Sequence, residues 1–326
     1  MPLLPPKAIA RVRIAAQTAS AAKFRCVGPE EGSMELDYFV VDVFTETPLA
    51  GNPLAVVMNC VGLTPERMQA IAREFNLSET TFVERRAAAV EQAEGVRVRI
   101  FTTGEELNFA GHPTLGTASV LKLDAPDTLK GGTVTLKLNV GAVPVRFAGE
   151  SLFGEMTQRD PEFGAELDRG EVARLTGLAE EDLDPGLPPQ IVSTGTAFAI
   201  VVLRSHEALA GLRVSRQEAA AWLLARGARW FYVLGPTGGD APAWRARMQF
   251  YGGEDPATGS AAGCAIAYLV QRGAVAAGQR IALGQGVEIG RPSDLYLFAQ
   301  VKSAKVSDVR VAGSTVLVAK GRLFLP

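Results

Sequence analysis

From Val96 to Phe101 apolar residues alternate with Arg97 and Arg99, which predicts a strand with one wet face. Leu36 to Phe44 is β-branched and aromatic, and predicts another strand. A Pro/Gly turn at 47–53 separates it from a third at 54–58. Thr64-Pro65-Glu66 then opens a helix, with a capping side chain, proline at the first helical position and an acid in the first turn. Met68, Ile71, Ala72 and Phe75 form its inward face. Strands are expected at 80–84, 133–138, 143–147 and 152–156. In the second half they are expected at 190–193, 197–203, 230–234, 244–251, 279–283, 295–301, 307–311 and 314–325. Ser215-Arg216-Gln217-Glu218 reads as a capping box at the start of a helix that turns Ala219, Trp222 and Leu223 inward.

Two stretches break this rhythm in the same way. Glu105 to Ala118 is a loop running into a helix of small residues that continues to about Lys122. Gly252 to Ala265 does the same, and its helix reaches about Gln271. Ala110-Gly111-His112-Pro113 and Thr258-Gly259-Ser260-Ala261 occupy comparable places, so the chain carries a rough internal repeat. At 326 residues two lobes are expected rather than one core. They are taken as 34–156 and 190–326, with a terminal strand able to cross between them. The charged, Gly- and Pro-bearing stretch 157–189 is the expected connection. Residues 1–33 are Ala-rich, with no acid before Glu30 and no continuous apolar stretch of a secretory signal. They read as a disordered extension, or a mis-assigned start, ahead of Met34.

Composition narrows the function. A hydrophobic fraction of 47% with 21% charged residues is that of a soluble globular protein. The net charge of -2 provides no basic footprint for nucleic acid. No apolar run approaches the ~20 residues of a membrane span. Three scattered cysteines, Cys26, Cys60 and Cys264, point to a reducing, cytoplasmic setting. No Cys/His cluster suggests a metal. No GxGxxG follows a strand, no P-loop occurs, and the glycines around Ser260 do not make a GxSxG elbow.

Candidate chemistry gathers at the two turns. Helix N-termini expose backbone N–H groups and a positive dipole end, which suits a carboxylate or phosphate. Gly259 permits close approach of a ligand, and Ser260 either binds that anion or caps the helix. Asp255 either caps the same helix or orients an imidazole. His112, between Gly111 and Pro113 at a helix start, is favoured as a neutral imidazole, because the dipole opposes its cation. Glu79, in Ser78-Glu79-Thr80, lies between Leu77 and Phe82. An apolar wall there would raise its pKa, as a proton-shuttling carboxyl needs, although local sequence alone favours a solvent-facing charge at a helix exit. His206 reads as a surface residue.

Five segments, taken in order, resemble the PhzF family of phenazine-biosynthesis-like proteins. They are Asp42-Val43-Phe44 with Gly51-Asn52-Pro53; Asn76-Leu77-Ser78-Glu79-Thr80; Phe109 to Gly116; Gly253 to Ala261; and Gln285 to Ser293. The likeness runs from about 36 to 325. It implies an α+β, diaminopimelate-epimerase-like fold: two pseudo-symmetric lobes, each a mixed sheet wrapped around a central helix, with the site between them. It further implies a homodimer, no cofactor, and an isomerase that moves a proton along a conjugated system, as the characterised enzyme does on a dihydro-hydroxyanthranilate. In that comparison the characterised enzyme's catalytic glutamate falls in the motif matched by Glu79, its histidine in that matched by His112, and its aspartate and serine in those matched by Asp255 and Ser260; Glu79, His112 and Asp255 are taken as catalytic, and Gly111, Gly259, Ser260 and Ser78 as substrate-binding.

The expected reaction is therefore a proton shift on a small carboxylate-bearing substrate, with Glu79 as base and then acid. Racemases of the same fold use two cysteine bases, but the turns here carry Gly111-His112 and Gly259-Ser260 instead. Two other readings stay open. One is a hydrolase with Ser260 as nucleophile beside His112 and Asp255; the other is a non-catalytic metabolite-binding protein.

Overall fold

The structure, a computed structural model, describes residues 34–239, 243–250 and 253–325. The expected extension at 1–33 lies outside the described residues. The first half runs β1 (Met34–Val43), β2 (Asn52–Val57), α1 (Pro65–Phe75), β3 (Glu79–Glu84), α2 (Ala88–Glu94), β4 (Val96–Thr102), β5 (Glu106–Leu107), α3 (Gly111–Asp124), β6 (Thr133–Leu138), β7 (Gly141–Phe147) and β8 (Gly154–Thr157). The second runs β9 (Glu162–Glu166), α4 (Arg169–Thr176), β10 (Gln190–Ser193), β11 (Ala197–Val202), α5 (Arg216–Leu224), β12 (Trp230–Pro236), β13 (Ala243–Arg247), β14 (Gln249–Phe250), β15 (Gly253–Glu254), α6 (Gly259–Gln271), β16 (Ile281–Gln285), β17 (Ser293–Lys302), β18 (Lys305–Gly313) and β19 (Thr315–Leu325).

The pairing pattern makes the repeat concrete. In the first lobe the order is β19-β1-β2-β3-β4-β6-β7-β8. In the second it is β9-β10-β11-β12-β13-β16-β17-β18. Read along either lobe, the pairings are antiparallel, antiparallel, parallel, antiparallel, parallel, antiparallel, antiparallel. The final strands, β8 and β18, pair antiparallel and join the lobes into one sheet. The place that β9 fills in the second lobe is taken in the first by β19, the last strand of the chain, which runs along the whole of β1. The chain thus closes its first lobe with its C-terminal strand.

Each lobe wraps a helix that is buried on every side: α3 from Gly111 to Leu121 and α6 from Gly259 to Val270. Neither needs an amphipathic stripe, because a helix inside a curved sheet meets apolar surface all round. Small residues let the sheet approach closely. A Cβ built on Gly116 would lie 2.7 Å from both the Leu54 and Val43 side chains.

The two central helices meet at their N-termini. A Cβ on Gly111 would lie 2.5 Å from the Ser260 amide nitrogen and 2.6 Å from the Gly259 carbonyl carbon. A Cβ on Gly259 would lie 3.0 Å from the Phe44 ring and 3.3 Å from Gly111 Cα.

Several expectations change. The stretch 157–189, the expected connection, carries secondary structure of its own. It holds β9, paired to β10, and α4, whose Val172, Ala173 and Leu175 share a core with Val201 and Val233. Asp168 caps α4 and Gly177, with φ 69°, ends it. These local signals were masked by the charge around them. Ser215 precedes α5, but its side chain makes no capping bond there, and Trp222 is only half-buried. The single strand expected at 244–251 breaks at Met248 into β13 and β14. Helix α2, exposed and without a buried residue, has no counterpart in the hydrophobic pattern.

Substituting Gly111 by Ala tests the helix contact. Alanine usually gains 0.5–1 kcal/mol over glycine inside a helix, but here its Cβ meets backbone that cannot swing aside. Gly111→Ala is expected to lose about 3 kcal/mol of stability in denaturant titration, near the upper end for overpacked sites. Gly259→Ala, facing a side-chain ring, is expected to lose less. Equal, near-neutral effects would refute the close contact.

Candidate active site

Glu79 opens β3, three residues after the left-handed Asn76 that ends α1. His112 is the second residue of α3, and Asp255 follows β15 at the approach to α6. Tertiary folding brings these three together. His112 Nε2 lies 3.5 Å from Glu79 Oε2. Both atoms are buried and neither has a hydrogen-bond partner among the described residues.

Asn52 is the joint between the lobes. From the first residue of β2 its amide nitrogen donates to Asp255 Oδ1 at 2.7 Å and to the Ala257 carbonyl at 2.8 Å. The same nitrogen sits 3.1 Å from His112 Nδ1. Its two hydrogens are satisfied by Asp255 and Ala257, so it has none left for the imidazole. The Pro53 carbonyl is the backbone hydrogen-bond partner of His112. The tautomer assigned on this count has Nδ1–H donating to Pro53 and a bare Nε2 facing Glu79. Asn52 is itself held by an inter-lobe lock. Arg291 donates to Asp42 at 2.6 Å and to the Gly51 and Ala50 carbonyls at 2.8 Å, and Gly51 N–H donates to the Pro292 carbonyl.

Asp255 accepts a second bond, at 2.6 Å, from the Thr258 hydroxyl. It therefore does not cap α6; Thr258 holds the N-cap position. Burial first, and then the charge of Asp255, drives Glu79 well above the usual carboxylate range. Burial pushes Asp255 up to about 7, against the pull of its bonds from Thr258 and Asn52. Asp255, with two donors, is thus the carboxyl that ionises first. Burial lowers His112 to about 3, with the Pro53 bond opposing.

A cavity opens beside these groups, lined from both lobes. Glu79 and Asp255 are its acids, Arg229 is its cation, and Thr102, Thr196, Thr258 and Ser260 line it with hydroxyl-bearing side chains. Phe109, Phe198, Trp230 and Phe250 form apolar walls. Arg229 also bridges the lobes, with an ion pair to Glu105 at 2.6 Å. A wider surface groove past Trp230 and Phe250 shares that wall but lacks both carboxyls.

Glu79, Asp255 and Ser260 line the cavity, and His112 stands behind Glu79. Gly111 and Gly259 serve the helix contact and do not line it; neither does Ser78, in the turn before β3. Asn52, Thr258, Gln285 and Arg229 were not singled out from the sequence. Asn52 and Gln285 do lie in segments that resemble the family, beside Gly51-Pro53 and Gly286, and this was the available signal. His206 is half-buried against the Pro236 carbonyl, far along the chain from these groups.

Two lobes of matching topology pack around paired central helices, with two carboxyl groups at their junction. The family model of phenazine biosynthesis-like proteins matches residues 41–321, and the chain belongs to that family. It is 36% identical to trans-2,3-dihydro-3-hydroxyanthranilate isomerase of Pseudomonas aeruginosa, over 88% of this chain and 99% of that protein. Among solved structures, a PhzF-family phenazine biosynthesis protein from Bacillus anthracis is 26% identical with a TM-score of 0.77, covering 89% of this chain and 99% of its own. A predicted epimerase from Pseudomonas aeruginosa is 36% identical with a TM-score of 0.74, covering 88% and 99%. The protein is an isomerase. No described helix is long and apolar enough to cross a membrane.

The imidazole offers a direct check. Its folded pKa lies below the ordinary 6.5, so the neutral ring's contribution to stability is present above about 6.5 and is lost as pH falls toward about 3. Imidazole ¹⁵N spectra are expected to show His112 neutral and Nδ1-protonated from pH 7 down to about 4. A midpoint near 6.5 would contradict the buried geometry.

Proposed function

We propose that this isomerase moves a proton between two carbons of a small, unsaturated cyclic carboxylic acid, with Glu79 as the carrier. The observation behind the proposal is the buried pair Glu79 Oε2 and His112 Nε2, 3.5 Å apart, unpartnered, and at the edge of a cavity between the lobes. The ionised Glu79 takes a proton from a saturated ring carbon. The released electron pair shifts along the conjugated system, and the resulting carboxylic acid returns the proton at the far end. Atoms and charge balance over the cycle, so the reading calls on no cofactor and no redox partner.

The high proton affinity of Glu79 makes its anion a strong base, and a dry site keeps the proton from exchanging with water between the two steps. Neutral His112 accepts from the acid form at Nε2 and holds it toward the substrate. Asp255 takes a hydrogen-bond donor on the substrate. Ser260 and the start of α6 hold the carboxylate, where helix dipole and free N–H groups favour an anion. The four aromatic walls suit a planar carbon skeleton. The dihydro-hydroxyanthranilate named for the Pseudomonas relative has these features and is the first substrate to try.

The serine-nucleophile alternative loses support. No hydrogen bond joins Ser260 to His112, and the imidazole contacts Glu79 and Asn52 instead.

Turnover of trans-2,3-dihydro-3-hydroxyanthranilate followed by NMR in deuterated water tests the assignment. Glu79→Gln is expected to slow both turnover and deuterium uptake by about a thousandfold, the mid-range for loss of a general acid/base. Undiminished uptake in that variant would remove Glu79 from the chemistry.

A further inference from the structure

Gln285, the last residue of β16, is fully buried and does not line the cavity. All four of its side-chain hydrogen-bonding positions are used. Its Oε1 accepts from the Tyr232 hydroxyl at 3.0 Å and from the Thr258 amide at 3.1 Å. Its Nε2 donates to the Asp255 carbonyl at 2.8 Å and to Thr258 Oγ1 at 2.9 Å. The orientation of the amide is therefore determined. Flipped, it would set NH₂ against the Thr258 N–H and oxygen against the Asp255 carbonyl.

This arrangement has a consequence one bond further on. Thr258 Oγ1 has one hydrogen and two acceptors in reach, Asp255 Oδ2 at 2.6 Å and Met248 Sδ at 3.2 Å. With Gln285 Nε2 donating into one side of that oxygen, the hydroxyl hydrogen is directed to the carboxylate. We propose that Gln285 is a positioning residue: by fixing both ends of the Asp255–Thr258 turn and the direction of the Thr258 hydroxyl, it keeps Asp255 as the charged member of the acid pair and Glu79 as the member of higher proton affinity.

The other groups facing Asp255 do not duplicate this role. Glu79 on β3 and Glu254 on β15 present negative charge to it, and Arg247 of β13 neutralises Glu254 through two bonds. Tyr232 on β12 faces it as a neutral phenol, which also feels Cys264 of α6. His112 on α3 reaches it only through Asn52. Among the described residues, Thr258 and Asn52 are the two side chains that donate to its carboxylate, and Gln285 directs the first.

The inference rests on the proposed role of Glu79, but it can be tested without turnover. In ¹³C-carboxyl NMR of aspartate-labelled enzyme, with the Asp255 signal identified by its loss in Asp255→Asn, Gln285→Met is expected to raise the Asp255 midpoint by about one pH unit, the value of one hydrogen bond to a charge. Thr258→Val is expected to match it, Thr258→Ser to stay near the parent, and the Met/Val double variant to shift no further than either single one. Should Gln285→Met fail to fold, Gln285→Asn, which withdraws the amide by one methylene, is expected to give the same shift. An unmoved midpoint in the folded Gln285 variant, or additive shifts in the double variant, would overturn the proposal. Glu79→Gln that retained exchange would instead sink the shuttle reading and leave this result untouched.

Discussion

The site depends on one close contact, backbone against backbone, between the starts of the two central helices. Gly111 lies so near Ser260 and Gly259 that no side chain fits between them. Because both helices begin at that point, their free N–H groups and positive dipole ends converge on the junction of the lobes. Two such ends would repel if merely pressed together. Placing carboxyl groups beside them makes the convergence favourable. The contact and the chemistry therefore support each other: the glycines permit the approach, and the acids stabilise it.

Burial then decides the protonation states. His112, at a positive helix end and walled in, is kept neutral, and its bare Nε2 is directed to Glu79. Two carboxyls in one dry space cannot both ionise easily. The one with donors, Asp255, takes the charge, and the one without, Glu79, takes the higher proton affinity. Asn52 joins these choices by touching both His112 and Asp255, and the Arg291–Asp42 lock holds Asn52 in place across the lobes.

The duplication also survives in side-chain detail. Arg99 grips Glu106 through two bonds at 2.9 and 2.6 Å, and Arg247 grips Glu254 through two at 2.8 and 2.6 Å, each across seven residues. Gly111 and Gly259 each follow the gripped glutamate by five residues. In each lobe the clamp closes the hairpin that delivers the chain to its central helix. On this register Leu107 stands where Asp255 stands, and His112 where Ser260 stands. Equal scaffolds thus carry unequal side chains at matching positions.

Much of the scaffold was legible in the sequence, since strand alternation, the Thr64-Pro65-Glu66 start and the small-residue helices are local signals that tertiary packing agrees with. The β9 and α4 elements within 157–189 were not legible because they are short and half-exposed, so charge outweighed their apolar residues. The order of residues by itself determined the strands, the two helix-opening turns and, through its ordered motifs, the family. Only the tertiary structure decided that the Glu79 carboxyl oxygen Oε2 is buried, that Asn52 reaches 203 residues along the chain to Asp255, and that Gln285 directs a hydroxyl. The reason is physical. Helix and strand signals act over a few residues, whereas a carboxyl's proton affinity is set by the water it loses and the charges it meets, and those come from distant parts of the chain.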